Sequence, residues 1–193
     1  TKIVIFLFFM KSKSFLLNFA AGNMEMMHNR KLLNVELGRV SADEYRNLPE
    51  SGLVLVLDNI RSAHNVGSAF RTADSFKVDK VWLCGICAVP PSAEIHKSAL
   101  GAENSVEWEH VADTMEAVER LKQDGYEIVS VEQTVGSVML DGFAPARGKK
   151  YALVFGNEVA GVDQKVVDAS DFSLEIPQYG TKHSLNVSVS VGV

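Results

Sequence analysis

Tyr151-Ala-Leu-Val-Phe-Gly-Asn-Glu-Val-Ala-Gly161 and Leu174-Glu-Ile-Pro-Gln-Tyr-Gly-Thr-Lys-His-Ser-Leu-Asn186 decide how the chain is read. Each is an apolar run that stops at a turn rich in Gly, Pro, Asn or Glu. In an α/β sheet, ligands bind beyond the carboxyl ends of the strands, so two such tips side by side make a pocket. Gly156 and Gly161 allow a close approach of backbone to ligand that a Cβ would block. Taken singly, each segment is also an ordinary strand-to-loop transition. A third segment upstream bears on the choice.

Outward from these tips the pattern is regular. Leu53 to Leu57 is a continuous apolar run, as in a central strand covered on both faces. Val66, Ala69, Phe70 and Ala73 recur at helical spacing, and Lys80 to Cys84 reads as the next strand. Pro90-Pro91-Ser92 opens a helix running to about Leu100, with Ser92 as its cap. Val106 to His110 alternates like a strand. Asp113 to Gln123 is an amphipathic helix with Met115, Val118 and Leu121 inward and Gly125 just past its end. Tyr126 to Val131 and Tyr151 to Phe155 are strands, Asp163 to Ala169 a short helix, and Phe172 to Ile176 a strand. Alternating strands and helices predict an α/β fold, a mostly parallel sheet with helices on both faces. Ser184 to Val193 alternates valines with small polar residues, and by periodicity alone that tail is a strand.

The chain has 193 residues and a formal charge of -5, room for one good core and no global attraction to nucleic acid. Any RNA or DNA partner must therefore meet a local basic patch. Cys84 and Cys87 are the only cysteines. A zinc site takes about four ligands, so they form none, and on one strand their odd spacing would point them to opposite faces. They read as buried reduced thiols, which suit a reducing, cytoplasmic compartment. Ile3 to Met10 and Phe15 to Ala21 are apolar runs broken by Lys11-Ser-Lys13, and neither reaches the roughly 20 residues that span a bilayer. Their positive charge interrupts the apolar region instead of preceding it, against the order of a secretory signal. Residues 1–27 are read as a leader, 28–50 as an N-terminal arm and 51–193 as the folded domain. Within the arm, Ser41-Ala-Asp-Glu44 is a capping box that predicts a helix from Ala42 to Asn47.

The third segment is Leu57-Asp-Asn-Ile-Arg-Ser-Ala-His-Asn-Val-Gly-Ser-Ala-Phe-Arg-Thr-Ala-Asp74, a strand end, a polar turn and a helix carrying Asn65 and Arg71. Six residues is under two helical turns, so the Arg71 guanidinium could reach back toward the strand end. Alone, Asn65 reads as a helix cap and Arg71 as an ion-pair partner for Asp74. No Gly-x-x-x-x-Gly-Lys loop is present, and Gly156 to Gly161 lacks the middle glycine of a dinucleotide fingerprint. A His183–Ser184 hydrolase pair fails because neighbours at an element start seldom point the same way.

In series, the three segments resemble the SpoU/TrmH branch of the SPOUT RNA methyltransferases. The matching positions are Asn65 with Arg71-Thr72, Phe155-Gly156-Asn157-Glu158 with Gly161, and Ile176-Pro177 with Ser184 to Ser188, over roughly residues 29 to 193. The resemblance implies a deep trefoil knot in the C-terminal half and a homodimer. It reassigns the tail as a helix opening at Ser184, one that continues in relatives and is expected to be cut short here. It further implies methyl transfer from S-adenosylmethionine to a ribose 2′-hydroxyl of RNA, tRNA before rRNA, with no metal and no membrane. Carried over residue by residue, Arg71, Asn65, Glu158, Ser184 and Asn186 form the catalytic set. Val131, Glu132, Gln133, Gly156, Ile176, Ser184, Leu185 and Asn186 form the cofactor set. For RNA contact the candidates are Arg30, Lys31, Arg61, His64 and Lys182, with Arg39, Lys97 and His183 beside them. A guanidinium holds its proton tightly, so gripping phosphate and the developing oxyanion suits Arg71 better than acting as base. The alternative is a non-catalytic RNA-binding protein that retains the fold.

Overall fold

The computed structural model describes residues 30–193, so the leader expected at 1–27 lies outside the described residues. The chain divides into two units, Thr1–Val40 and Ser41–Val193. In the described part of the first, a 3-10 turn at Asn34–Leu37 is closed by Glu36, which takes the Leu33 N–H at 2.7 Å and pairs with Arg30 at 2.6 Å. The division falls before Ser41, earlier than the boundary expected at residue 50. The reason is helix α1 (Ala42–Arg46), opened by the expected capping box, whose Tyr45 is buried and donates its hydroxyl to the Ala73 carbonyl at 3.3 Å.

The larger unit is a seven-stranded sheet. Its strands are β1 (Leu53–Asp58), β2 (Lys80–Cys84), β3 (Glu107–Val111), β4 (Tyr126–Val131), β5 (Val138–Met139), β6 (Lys150–Phe155) and β7 (Phe172–Glu175). They lie in the order β3-β2-β1-β6-β4-β7-β5, and every pairing is parallel. All the strands therefore end on one edge. The chain steps from β1 outward to β2 and β3 on one side, while β6 flanks β1 on the other, so the strand order reverses at β1. That is where an open α/β sheet leaves a crevice.

The unbroken apolar run of β1 is explained by two cores. Leu55 and Leu57 face one, with Val66, Phe70 and Ala73 of α2 (Ala63–Ser75) and Ile95 and Ala99 of α3 (Ala93–Ala99). Val54 and Val56 face the other, with Ala117, Val118 and Leu121 of α4 (Thr114–Gln123) and Val166 of α5 (Gln164–Ala169). Removing both faces of a strand from water is what favours Val and Leu at every position. Cys84 belongs to the second core and Cys87 to the first, both free; Cys87 lies past the end of β2, so the turn after Cys84, and not alternation along one strand, carries it to the other face. Burial pushes both thiols up, Cys87 to about 11.

Two expectations need correction, and one strand left no signal in the sequence. The cap of α2 is Ser62, whose Oγ accepts the Asn65 N–H at 3.2 Å, which leaves the Asn65 side chain free for other work. Strand β5 pairs through two residues only, Val138 with Leu174 and Met139 with Glu175, too few to leave a periodic signal. The tail is a helix, α6 (Val187–Gly192), and not the strand its alternation predicts; it opens at Val187 and not at Ser184. Val187 and Val191, four apart, pack against the core beside α2, and Asn186 caps the helix by accepting the Ser188 N–H at 2.8 Å. Packing and a cap outweigh the β-preference of valine. Among the described residues no helix is long and apolar enough to cross a membrane, and no group of three or more His, Cys, Asp or Glu is placed to hold a metal ion.

Candidate functional site

At the carboxyl edge of the sheet, β1 runs into Asn59, whose backbone adopts the left-handed region at φ 56. This reversal turns the chain into α2 and leaves the Asn59 carbonyl facing β6, where it accepts from Asn157 Nδ2 at 2.7 Å. Asn157 organises the turn after β6. Its Oδ1 takes the N–H groups of Val159 and Ala160, at 2.9 and 3.2 Å, and its backbone exchanges two 2.9 Å bonds with Gly161. The side chain of an Asx residue thus folds the turn on itself.

The two glycines serve this turn from within. A Cβ on Gly156 would stand 2.0 Å from the Gly161 carbonyl carbon and from the Val162 nitrogen. One on Gly161, itself at φ +72, would stand 2.3 Å from Oε2 of Glu132. The space expected for ligand approach is occupied by the chain itself at both positions. Glu132, just past β4, accepts the Val162 N–H at 3.0 Å and so holds the turn from the β4 side.

The tight turn delivers Glu158 to the start of α2. Its two oxygens accept the N–H groups of Arg61 at 3.1 Å and Ser62 at 3.2 Å, and the Nδ2 of Asn65 at 3.0 Å. Backbone N–H groups at a helix start lack internal partners and carry the positive end of the helix dipole, so a carboxylate belongs there. Burial pushes the Glu158 carboxyl up, but the N–H groups of Arg61, its own residue and Ser62, with the Asn65 amide, outweigh it. Its pKa settles below the usual carboxylate range. Asn65, buried, accepts at its Oδ1 from Asn186 Nδ2 at 3.3 Å. Gln133 Nε2 donates to the His183 carbonyl at 3.2 Å. The three sequence segments therefore meet, joined by the chain Asn186 to Asn65 to Glu158.

Other expected residues stand apart from this knot of contacts. Arg71 makes no hydrogen bond to Asn65, Glu158 or Asp74. It lines an open groove of about 450 Å³ with His64, Ser68, Phe76, Lys97 and Gly192. Residues 64, 68, 71 and 75 form one stripe of α2, while Asn65 turns inward. Among the described residues the Arg71, Arg61 and Lys182 cationic groups have no ion-pair partner, whereas Lys97 pairs with Glu94 at 2.6 Å. Arg30 is held by Glu36, and Arg30 and Lys31 belong to the separate first unit. Ser184 is exposed and makes no side-chain hydrogen bond. Leu185 is 40% exposed and Ile176 half-buried, leaving apolar surface in the segment that runs from β7 to Asn186. Residue-by-residue reading missed Ser62, Asn59 and Asn157. The signal was there for Asn157, since Gly-Asn-Glu-Val after a strand is Asx-turn composition.

Comparison with known proteins bears on the fold and the family. Residues 52–193 match the model of the SpoU rRNA Methylase family. The 23S rRNA (guanosine-2′-O-)-methyltransferase RlmB of Nitrosomonas europaea is 36% identical over 155 residues, covering 78% of this chain and 57% of its own length. Its namesake from Neisseria meningitidis is 32% identical over 151 residues, 78% of this chain and 59% of its own. The chain thus spans little more than half the length of these curated relatives. The AdoMet-bound rRNA methyltransferase of Sinorhizobium meliloti superposes with a TM-score of 0.68 at 26% identity, over 77% of this chain and 56% of that one. The TrmH/SpoU tRNA modifying enzyme of A. aeolicus does so with a TM-score of 0.68 at 27% identity, over 78% of this chain and 77% of that one. The family model covers the three joined segments and the sheet that carries them, and the chain belongs to the SpoU rRNA methylase family.

Proposed function

We propose that this chain catalyses methyl transfer from S-adenosylmethionine to a ribose 2′-hydroxyl of a tRNA or rRNA. The observation that carries the reading is the bonded chain Asn186–Asn65–Glu158 at the strand-order reversal, with the next turns of α2 lining a groove that holds an Arg71 without an acceptor among the described residues. The donor presents an electrophilic methyl on a sulfonium. The residues present suit that group: exposed Leu185 and half-buried Ile176 offer apolar cover, and Glu132 and Glu158 offer negative charge. Gly156, Val131, Gln133, Ser184 and Asn186 complete the wall through backbone and amide contacts.

Catalysis of such a displacement rests on alignment and on handling one hydroxyl proton. Arg71 grips the phosphate next to the target ribose and stabilises negative charge as it grows on the 2′-oxygen. Asn65 fixes the start of α2, and through it the direction in which Arg71 projects. His64 and Lys97 line the same groove, and Arg61 and Lys182 add cationic groups that have no ion-pair partner among the described residues. A local patch of this kind is what a chain of formal charge -5 needs to meet RNA.

The same reading includes a trefoil knot and a homodimer. The knot is supported by β6 lying between β1 and β4, with the segment after β7 returning to Asn65. The dimer is supported by Val189, exposed on the side of α6 away from Val187 and Val191. Buried thiols favour the cytoplasm. The test is to incubate the full chain with methyl-labelled S-adenosylmethionine and total tRNA or rRNA, then digest and identify the nucleoside. A 2′-O-methylated nucleoside supports the reading. RNA binding with no donor binding by calorimetry overturns it in favour of a non-catalytic binder.

A further inference from the structure

Asp58 ends β1 and is 2% exposed, a carboxylate in the interior with no cation bonded to it among the described residues. Such a group persists only where donors satisfy it. Its Oδ1 accepts the Thr114 hydroxyl at 2.5 Å and Asn59 Nδ2 at 2.9 Å, and its Oδ2 accepts the Asp163 N–H at 2.9 Å. These three donors come from three places: the first residue of α4, the left-handed turn leading to α2, and the far end of the turn after β6.

The turn from Asn157 to Asp163 is thereby tied to β1 twice. Asn157 holds its near end on the Asn59 carbonyl, and Asp58 holds its far end through Asp163. Glu132 holds Val162 from the opposite side. A core that only needed filling would take Leu or Val at position 58, as at 54 to 57, and avoid burying a charge. Instead the carboxylate spends one oxygen on the turn that presents Glu158 and the other on Thr114 and Asn59.

We infer that Asp58 is a positioning residue that sets the height of the 157–163 turn over the sheet edge, and with it the affinity for the methyl donor. The donor arm rests on the proposed function. The positioning itself rests on geometry alone. Loss of the Asp163 tether lets the far end of the turn drift, and displacements of an ångström or less in a binding wall are enough to lower affinity.

The experiment uses the full chain and Asp58→Asn, which keeps the size but places an amide N–H where an acceptor was needed. Expected are a rise of about tenfold or more in the KM and Kd for S-adenosylmethionine, with kcat at saturating donor within about twofold. Amide hydrogen exchange supplies the second arm. In the native chain the Asp163 amide exchanges with the slow amides of β1, and in Asp58→Asn the amides of 159–163 exchange at least tenfold faster while those of β1 hold. A fall in kcat with KM unchanged, or an Asp163 amide that exchanges freely in the native chain, overturns the inference. If Asp58→Asn does not fold, the native exchange measurement decides. Failure of the native chain to bind donor sinks the proposed function and leaves the exchange result to judge Asp58 separately.

Discussion

The side-chain amide of Asn65 donates to Oε1 of Glu158 at 3.0 Å across 93 residues of chain, and this bond fastens α2 to the turn after β6. Glu158 also occupies two orphan N–H groups at the start of that helix, so its charge and both oxygens are in use. Glu158→Gln keeps one acceptor and places an N–H against other N–H donors. The expected loss is about 1 kcal/mol, near the low end for a charged hydrogen-bonded group because the carboxylate is exposed. Methyl transfer falls by at least tenfold if the Glu158–Asn65 bond orders the site. Chemical denaturation and steady-state rates on the same preparation check both.

The same carboxylate gives stability a pH dependence. Burial raises its pKa, but the N–H donors outweigh this and the folded value lies below the ordinary 4.5. For a depressed carboxyl the contribution is fully present above the unfolded pKa and lost as pH falls through the folded one. Native stability minus Glu158→Gln stability should therefore be constant near neutrality and shrink below about pH 4.5. A difference that persists unchanged to strongly acid pH would mean the charge contributes nothing.

Gly156 is predicted to tolerate no side chain. An alanine Cβ there would stand 2.0 Å from backbone atoms of both Gly161 and Val162, and backbone cannot move aside as a side-chain end can. Gly156→Ala should cost about 1–3 kcal/mol by overpacking and abolish donor binding, since the turn must open to admit the methyl group. Retention of native donor affinity in calorimetry would refute this.

Cys84 and Cys87 report on the packing beneath the site: Cys87 Sγ accepts the Ile60 N–H at 3.1 Å and the Cys84 carbonyl accepts the Asn59 N–H at 3.2 Å. Both are buried, with the thiol pKa pushed up, so neither forms much thiolate at neutral pH. A thiol reagent should label neither in the folded chain and both in denaturant. Labelling of either one in native buffer would show that the sheet edge opens.

Much of this was legible in the sequence, and the exceptions have physical causes. Leu53 to Leu57 announces a strand buried on two faces, and Ser41, Ser92 and Asp113 announce their helices, because both signals are local. The alternating valines of 187–193 misdirect, since a helix four residues per contact and a strand of period two both accept them; packing beside α2 decides. The pairing of Asn65 with Glu158 is not local, and only the resemblance pointed to it. The glycines were recognised as necessary but for another reason: they make room for backbone and for Glu132, not for a ligand.

Arg71 carries the sharpest prediction because the fold gives it nothing else to do. It lies on the stripe of α2 that faces the groove, with no acceptor among the described residues, while Lys97 in the same groove is paired with Glu94. Removing a paired arginine would strand its partner; removing this one should leave stability within about 0.5 kcal/mol. Arg71→Ala should nonetheless reduce methyl transfer by at least a hundredfold, as for loss of one donor to a developing oxyanion. Arg71→Lys separates the roles. A planar fork holds phosphate through two bonds and an ammonium does not, so lysine should restore RNA affinity in part and the rate hardly at all. Near-full activity in Arg71→Lys would reduce Arg71 to a point charge, and the groove to a general electrostatic seat.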